Sequence, residues 1–200
     1  MRLLLLAISP ILLTACMGGG GGGGDVSQPQ TEIEMLRGEA DRLRSAFGAN
    51  SPTPSINIPP SGSVMYEGIA TLGFFTESAR GDGIGGDMML DVDFAENGVT
   101  GQIDNFYSRD GDAREGQLAL TNGQVVRVSD GALITADVAG NVDIVAGPKD
   151  LDGTLTGVFV GENVDYVGGT IDVAFPLTLG GDGGVVDVDV DGSFIVEKRN

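Results

Sequence analysis

The chain contains no histidine and no tryptophan, and it holds one cysteine in 200 residues. Without imidazole, a Ser-His-Asp triad, a histidine-bearing zinc site and a His-ligated haem are all excluded. A lone thiol closes no disulfide within the chain, so no cross-link staples the fold. Basic residues are scarce as well: 11 Lys and Arg stand against 29 Asp and Glu, for a formal charge of −18. A surface of that sign repels nucleic acid and anionic headgroups, so no nucleic-acid partner is expected. Carboxylates for acid/base chemistry are plentiful, yet nothing in their spacing singles out a pair. A binding or structural protein is expected, not an enzyme.

The opening apolar run, residues 3–15, is well short of the ~20 residues a transmembrane helix needs. Placed after Met1-Arg2, it reads as the core of a secretory signal. It closes on Leu13-Thr14-Ala15-Cys16, which resembles the lipobox of bacterial lipoproteins. The resemblance implies cleavage before Cys16 and acylation of its sulfur, making membrane lipid a partner through that residue. Two or three acyl chains hold a protein firmly where one does not. Met17 occupies the place where Asp usually retains lipoproteins at the inner membrane, so outer-membrane delivery is expected. Seven glycines follow, and residues 17–30 are expected to form a flexible tether spanning ~20 Å on average and ~50 Å at full stretch.

Beyond the tether, Ile33, Leu36, Ala40, Leu43 and Phe47 recur at helical spacing and predict one amphipathic helix. Thr31 with Glu34 fits a capping box, and Gly48 is the expected C-terminal stop. Gly38 weakens the helix by ~1 kcal/mol, so it needs a surface to lie against. A Pro- and Ser-rich connector follows. From Val64 the period changes to two, as in "DMMLDVDF" and "VVDVDVDG". Turn signals punctuate these runs at Glu96–Gly98, Asn122-Gly123, Asp130-Gly131 and Gly180–Gly184. The candidate strands include Asp87–Phe94, Gly116–Thr121, Gln124–Ser129, Val185–Asp191 and Ser193–Glu197; merging those interrupted by bulges brings the total near eight. With no helix among them there is no crossover for parallel pairing. The expectation is an all-β fold, an antiparallel eight-stranded up-and-down barrel filled by its own side chains. Scarce aromatics and several short strands argue for a soluble barrel over a membrane-spanning one.

The segments "MLDVDFAENGVTGQIDN" and "GTLTGVFVGENVDYVGGTIDVAF" resemble barrel hairpins of transferrin-binding protein B, and "GSFIVEKRN" resembles that barrel's last strand. Factor H-binding protein shares the barrel. The resemblance covers about residues 64–200 plus the anchor. It implies a surface lipoprotein that presents its barrel to a host protein, or to haem in some members. It also implies outward passage like that of cargo for a dedicated outer-membrane translocon. Transferrin binders carry two lobes, each with a handle domain, whereas this chain has room for one barrel and a helix. Haem here would have only Tyr66, Tyr107, Tyr166 or methionines as ligands.

Two acidic motifs bear on calcium. Asp187, Asp189 and Asp191 match the opening of an EF-hand loop, D-x-D-x-D-G, but its twelfth position is Lys198 with Glu197 one residue early. The valines between the aspartates favour an extended strand whose carboxylates are solvated. Asp82–Leu90 resembles a single calcium nonapeptide, a motif that works only in stacks. No cofactor is expected beyond that calcium reading.

The expected organisation is a signal peptide (1–15), a lipidated tether (16–30), a helix (31–48), a connector (49–63) and a barrel (64–200). The barrel is expected to be a cell-surface monomer that captures an extracellular protein or small-molecule ligand, with loop Ser108–Gly116 as a contact. The alternative is a periplasm-facing structural lipoprotein without a captured ligand.

Overall fold

The computed structural model describes residues 32–76, 79–144, 147–178 and 185–199. The signal, Cys16, the tether, Thr31 and the Gly180–Gly184 turn lie outside the described residues. So do the side chains of residues 75–82 and 177–187, and with them Asp82 and Asp187.

Helix α1 (Glu32–Ala49) and a connector lead into the strands β1 (Ser63–Thr76), β2 (Ala79–Asp93), β3 (Gly98–Ser108), β4 (Ala113–Arg114), β5 (Gly116–Val128), β6 (Gly131–Ile144), β7 (Gly147–Val160), β8 (Tyr166–Thr178) and β9 (Val185–Lys198). Each long strand pairs antiparallel with its sequence neighbours, and β1 pairs with β9 from Tyr66↔Lys198 to Phe74↔Val190. The eight long strands therefore form a closed up-and-down barrel. Alternation supplies its contents: Leu90, Ile103, Leu118, Ile134, Leu155, Ile171 and Phe194 point inward and are buried. Glycines on the inner face let the wall curl. A Cβ at Gly157 would stand 2.7 Å from Phe194 Cζ.

Three expectations are corrected. The strands run from 11 to 15 residues in the eight long ones, so length does not argue against a bilayer. The facing argues against it: Asp91, Asp137, Asp152, Asp172 and Asp189 are exposed on the outer surface, where a membrane barrel carries its apolar band. Asn122-Gly123 is not a hairpin turn. Asn122 sits at φ 51° in a bulge that shifts the β5–β6 register between Thr121 and Gln124. Gly48 does not stop α1, which runs one residue further.

The connector crosses the end of the barrel where β1 begins. Thr53 is buried there, its N–H donating to Phe159 O at 2.9 Å and its hydroxyl to Gly161 O at 2.6 Å. Arg127 donates to Pro59 O at 2.6 Å, and Ile58 is tucked into the core. Beneath it Phe159 stacks at an angle on both Tyr66 and Phe94. Tyr66 donates its phenol hydrogen to Val164 O at 2.9 Å. Val164 itself is held at φ 54°, a strained conformation for a β-branched residue.

Burial pushes the Tyr66 phenol above its ordinary pKa. The folded state thus holds this proton more tightly than the unfolded chain. The contribution is complete below the unfolded value of about 10 and is lost as pH rises beyond it. Tyr66→Phe should destabilise the protein by about 1–2 kcal/mol at pH 7, because Val164 O loses its donor. The same variant should flatten the alkaline fall in stability, measured by urea melts from pH 7 to 11; an unchanged alkaline limb would refute the assignment.

Candidate functional site

The chain's one described α-helix lies on the outside of the barrel, astride the β1–β9 seam. Ala40 and Leu43 pack on Ile69, with Leu36, Tyr166 and Ile195 around them. Phe47 rests on Gly168, where a Cβ would come within 2.7 Å of its ring. At the other end Ile33 lies over Gly111, whose φ of 94° turns the β3–β4 loop beneath the helix. All five stripe residues face the barrel.

Polar clasps hold each end. Arg42 binds Glu39 at 2.6 Å and Glu197 at 2.7 Å, and Tyr166 donates to Glu197 at 3.1 Å. The hydrogen bond from Arg42 is the main reason the Glu39 carboxyl is held below its ordinary pKa. Arg42 is raised in turn, first by Glu39 and then by Glu197. Near the helix start, Tyr107 donates to Glu32 and Arg37 donates to the backbone oxygen of Arg109. The Tyr107 phenol is raised chiefly by that carboxylate, and Tyr166 by burial first and Glu197 second.

A rod laid on a curved wall leaves a cleft along each flank. One, of about 910 Å³, has Arg37, Asp41 and Arg44 on the helix side and Thr71, Gly85 and Ser193 on its floor. The other, of about 890 Å³, runs between Met35 and Glu39 of the helix and Glu67, Asp87 and Met89 of the barrel. One cleft is rimmed by guanidinium groups and the other mainly by carboxylates. Either has the volume of a small-molecule or peptide site.

Loop Ser108–Gly116, expected as a contact, meets the helix on one side, where Arg109 O takes the Arg37 donor and Gly111 lies under Ile33, while Asp110, Asp112 and Glu115 stay exposed. The tyrosines offered as haem ligands do not converge, since Tyr66 is inside the barrel while Tyr107 and Tyr166 bind different glutamates outside. Asp189 and Asp191 stand exposed on β9, which is extended through Asp187 as well. Alternate residues of a strand are ~7 Å apart, and this extended backbone is not the turn that a calcium loop makes. Among the described residues no group of three ligating side chains is placed to hold a metal. Asp82–Leu90 is part of β2 in an antiparallel hairpin. Sequence reasoning missed Arg37, Arg44 and Met35 because nothing local distinguishes them from solvated helix positions.

No family model and no curated protein matches the chain. Among solved structures, it is similar to two mutant forms of the vaccine antigen Transferrin Binding Protein B from Haemophilus parasuis Hp5. These are 16% and 17% identical, with TM-scores of 0.42 and 0.41, covering 75% of this chain and 29% and 28% of theirs. Intact Ap-TbpB, with N and C lobes, is 13% identical with a TM-score of 0.43, over 75% of this chain and 29% of that one. The chain thus spans under a third of the length of these structures. Transferrin-binding protein B is also the family its hairpin segments resemble.

Leu43 is fully buried at the centre of the helix contact. Leu43→Ala should loosen α1 by about 2–3 kcal/mol without unfolding the barrel, raising hydrogen exchange across residues 32–49 some 30- to 100-fold. Equal acceleration in the barrel strands would show that helix and barrel unfold as one unit.

Proposed function

We propose that the chain is a lipoprotein, tethered to the outer membrane through acylated Cys16, whose barrel is a rigid stand for a binding surface on its outside. The ligand is an extracellular protein or small molecule held along the clefts beside α1. One observation carries the reading: the inward positions are filled by a continuous apolar cluster. A cup-shaped barrel takes its ligand inside; here that space is occupied by side chains, and the concave surfaces lie beside the helix. Among the described residues no helix is long and apolar enough to cross a membrane, and the sequence around Cys16 supplies the means of attachment. Transferrin is not proposed as the ligand, because the chain spans under a third of the length of the proteins named for it.

Two measurements test this. Protease added to intact cells should remove the wild-type barrel, and Cys16→Ser should abolish both acylation and surface display. Digestion only after permeabilisation would favour the periplasm-facing alternative. Immobilised chain should capture a partner from extracellular fluid that a charge-matched acidic protein does not. Arg44→Glu, at an exposed position on the cleft rim, should weaken that capture at least fivefold; recovery no better than the control would defeat the binding role.

A further inference from the structure

Six large apolar side chains stand exposed among the described residues, and three of them are methionines gathered in one place. Met35, Met65 and Met89 are 52%, 39% and 40% exposed. Met35 on α1 and Met89 on β2 line the same cleft, that of about 890 Å³, together with Leu36 and Ile69 from the helix contact. Met89 pairs across the sheet with Glu67, and Met65 pairs with Asp91, which sets the two thioethers on a diagonal of the outer face. Apolar side chains scattered singly over a surface need no explanation; gathered at one cleft they mark a contact. The unbranched, polarisable thioether suits a surface that must fit itself to an incoming side chain.

Charge in this cleft is sorted along its length. At the Arg42 end the carboxylates are matched: Arg42 holds Glu39 and Glu197, Arg199 holds Glu67 at 2.7 Å, and Lys198 lines the cleft beside them. At the Glu32 end they are not. Glu32 accepts from Tyr107, Asp87 from Asn105 at 3.0 Å and Asp104 from Gln102 at 2.8 Å, all neutral donors. Asp87 and Asp104 are also paired directly opposite each other on β2 and β3, an arrangement that is unfavourable without a counter-charge. Met35 and Met89 lie between the two ends.

We propose that this cleft takes a short basic segment of a partner protein, extended along α1. Its lysine or arginine end lies at Glu32, Asp87 and Asp104, and a large apolar side chain sits between Met35 and Met89. This rests on the binding role of the α1 clefts and names what one of them accepts. From Glu32 to Arg42 the helix rises about 15 Å, room for about four or five extended residues. Charge complementarity selects the occupant. A cation supplies what Asp87 and Asp104 lack, whereas a second copy of this chain, at net −18, is repelled. The cations at the far end disfavour a segment that is basic along its whole length, so the positive charge belongs at one end.

The test is fluorescence anisotropy on the full chain in neutral detergent at about 0.15 M salt, with protein-free micelles as the blank. The probe is a labelled peptide of two lysines followed by two leucines. Replacing its leucines by serine, or its lysines by glutamate, should each weaken binding about tenfold or more. Asp87→Asn with Asp104→Asn should weaken it about fivefold or more, and Met35→Ser about threefold. Asp152→Asn with Asp172→Asn removes the same charge from the exposed faces of β7 and β8 and should change it less than about twofold. With carbon-13 methionine methyls, the Met35 and Met89 signals should move on binding, and that of Met88, buried in the barrel, should not. Equal effects of the two aspartate pairs, equal binding of the serine peptide, or fixed Met35 and Met89 signals would overturn the proposal. So would signals that move with protein concentration before peptide is added, which would give the cleft to a second copy. Arg44→Glu, in the other cleft, should leave the peptide bound. A chain that captures a partner from extracellular fluid but not this peptide loses this inference alone, and the binding role stands.

Discussion

The pairing of β1 with β9 brings together residues some 120 positions apart and turns a sheet into a ring. An open eight-stranded sheet would expose two rows of unpaired backbone groups and half of its apolar face. Closure removes both liabilities together, so the core and the hydrogen-bond ladder depend on one long-range contact. That contact is costly in chain entropy and comes late in the sequence, which places the barrel among slowly folding topologies. The helix lies across this same seam, with Ile69 and Ile195 from its two sides under one apolar stripe. Chain closure and helix docking therefore reinforce each other.

Because the interior is packed, everything the protein can offer a partner is on its surface, and that surface is divided. On the helix side, side chains of opposite sign flank two clefts. On the opposite side β5 is the one long strand with no carboxylate of its own, and its neighbour Asp137 stands beside Thr121. The dense negative charge between them keeps the molecule dispersed and limits where contacts can form.

How much of this was readable in the chain depended on whether a side chain stood at each alternate position. Where Val and Asp alternate, as in β9, both strand and facing followed at once. In β2 the signal began only at Asp87, because the preceding stretch from Gly81 to Gly86 carries glycines with no hydrophobicity to alternate. At Asn105 and Asn122 the backbone takes positive φ and the facing flips, so a period of two cannot be followed through. The Asn-Gly pair at Asn122 is equally suited to a turn, and only its neighbours in space make it a bulge. The helix was legible from its stripe. Its clefts were not, because Arg37 and Arg109, 72 positions apart, meet only once the chain between them has folded.

The route from helix to barrel has a mechanical meaning. Any load arriving from the N-terminal side reaches α1 before it reaches a strand. The helix is held by a narrow stripe and a few surface clasps, and it can be lifted turn by turn. Behind it, Pro52 bridges Val160, and Thr53 is tied to Phe159 and Gly161 across the barrel's end. Those bonds stand between the pull and the first strand of the ring. The helix and its lashing form a fuse that yields in stages, so a tug on the N-terminus lengthens the molecule by a few nanometres while the barrel stays shut.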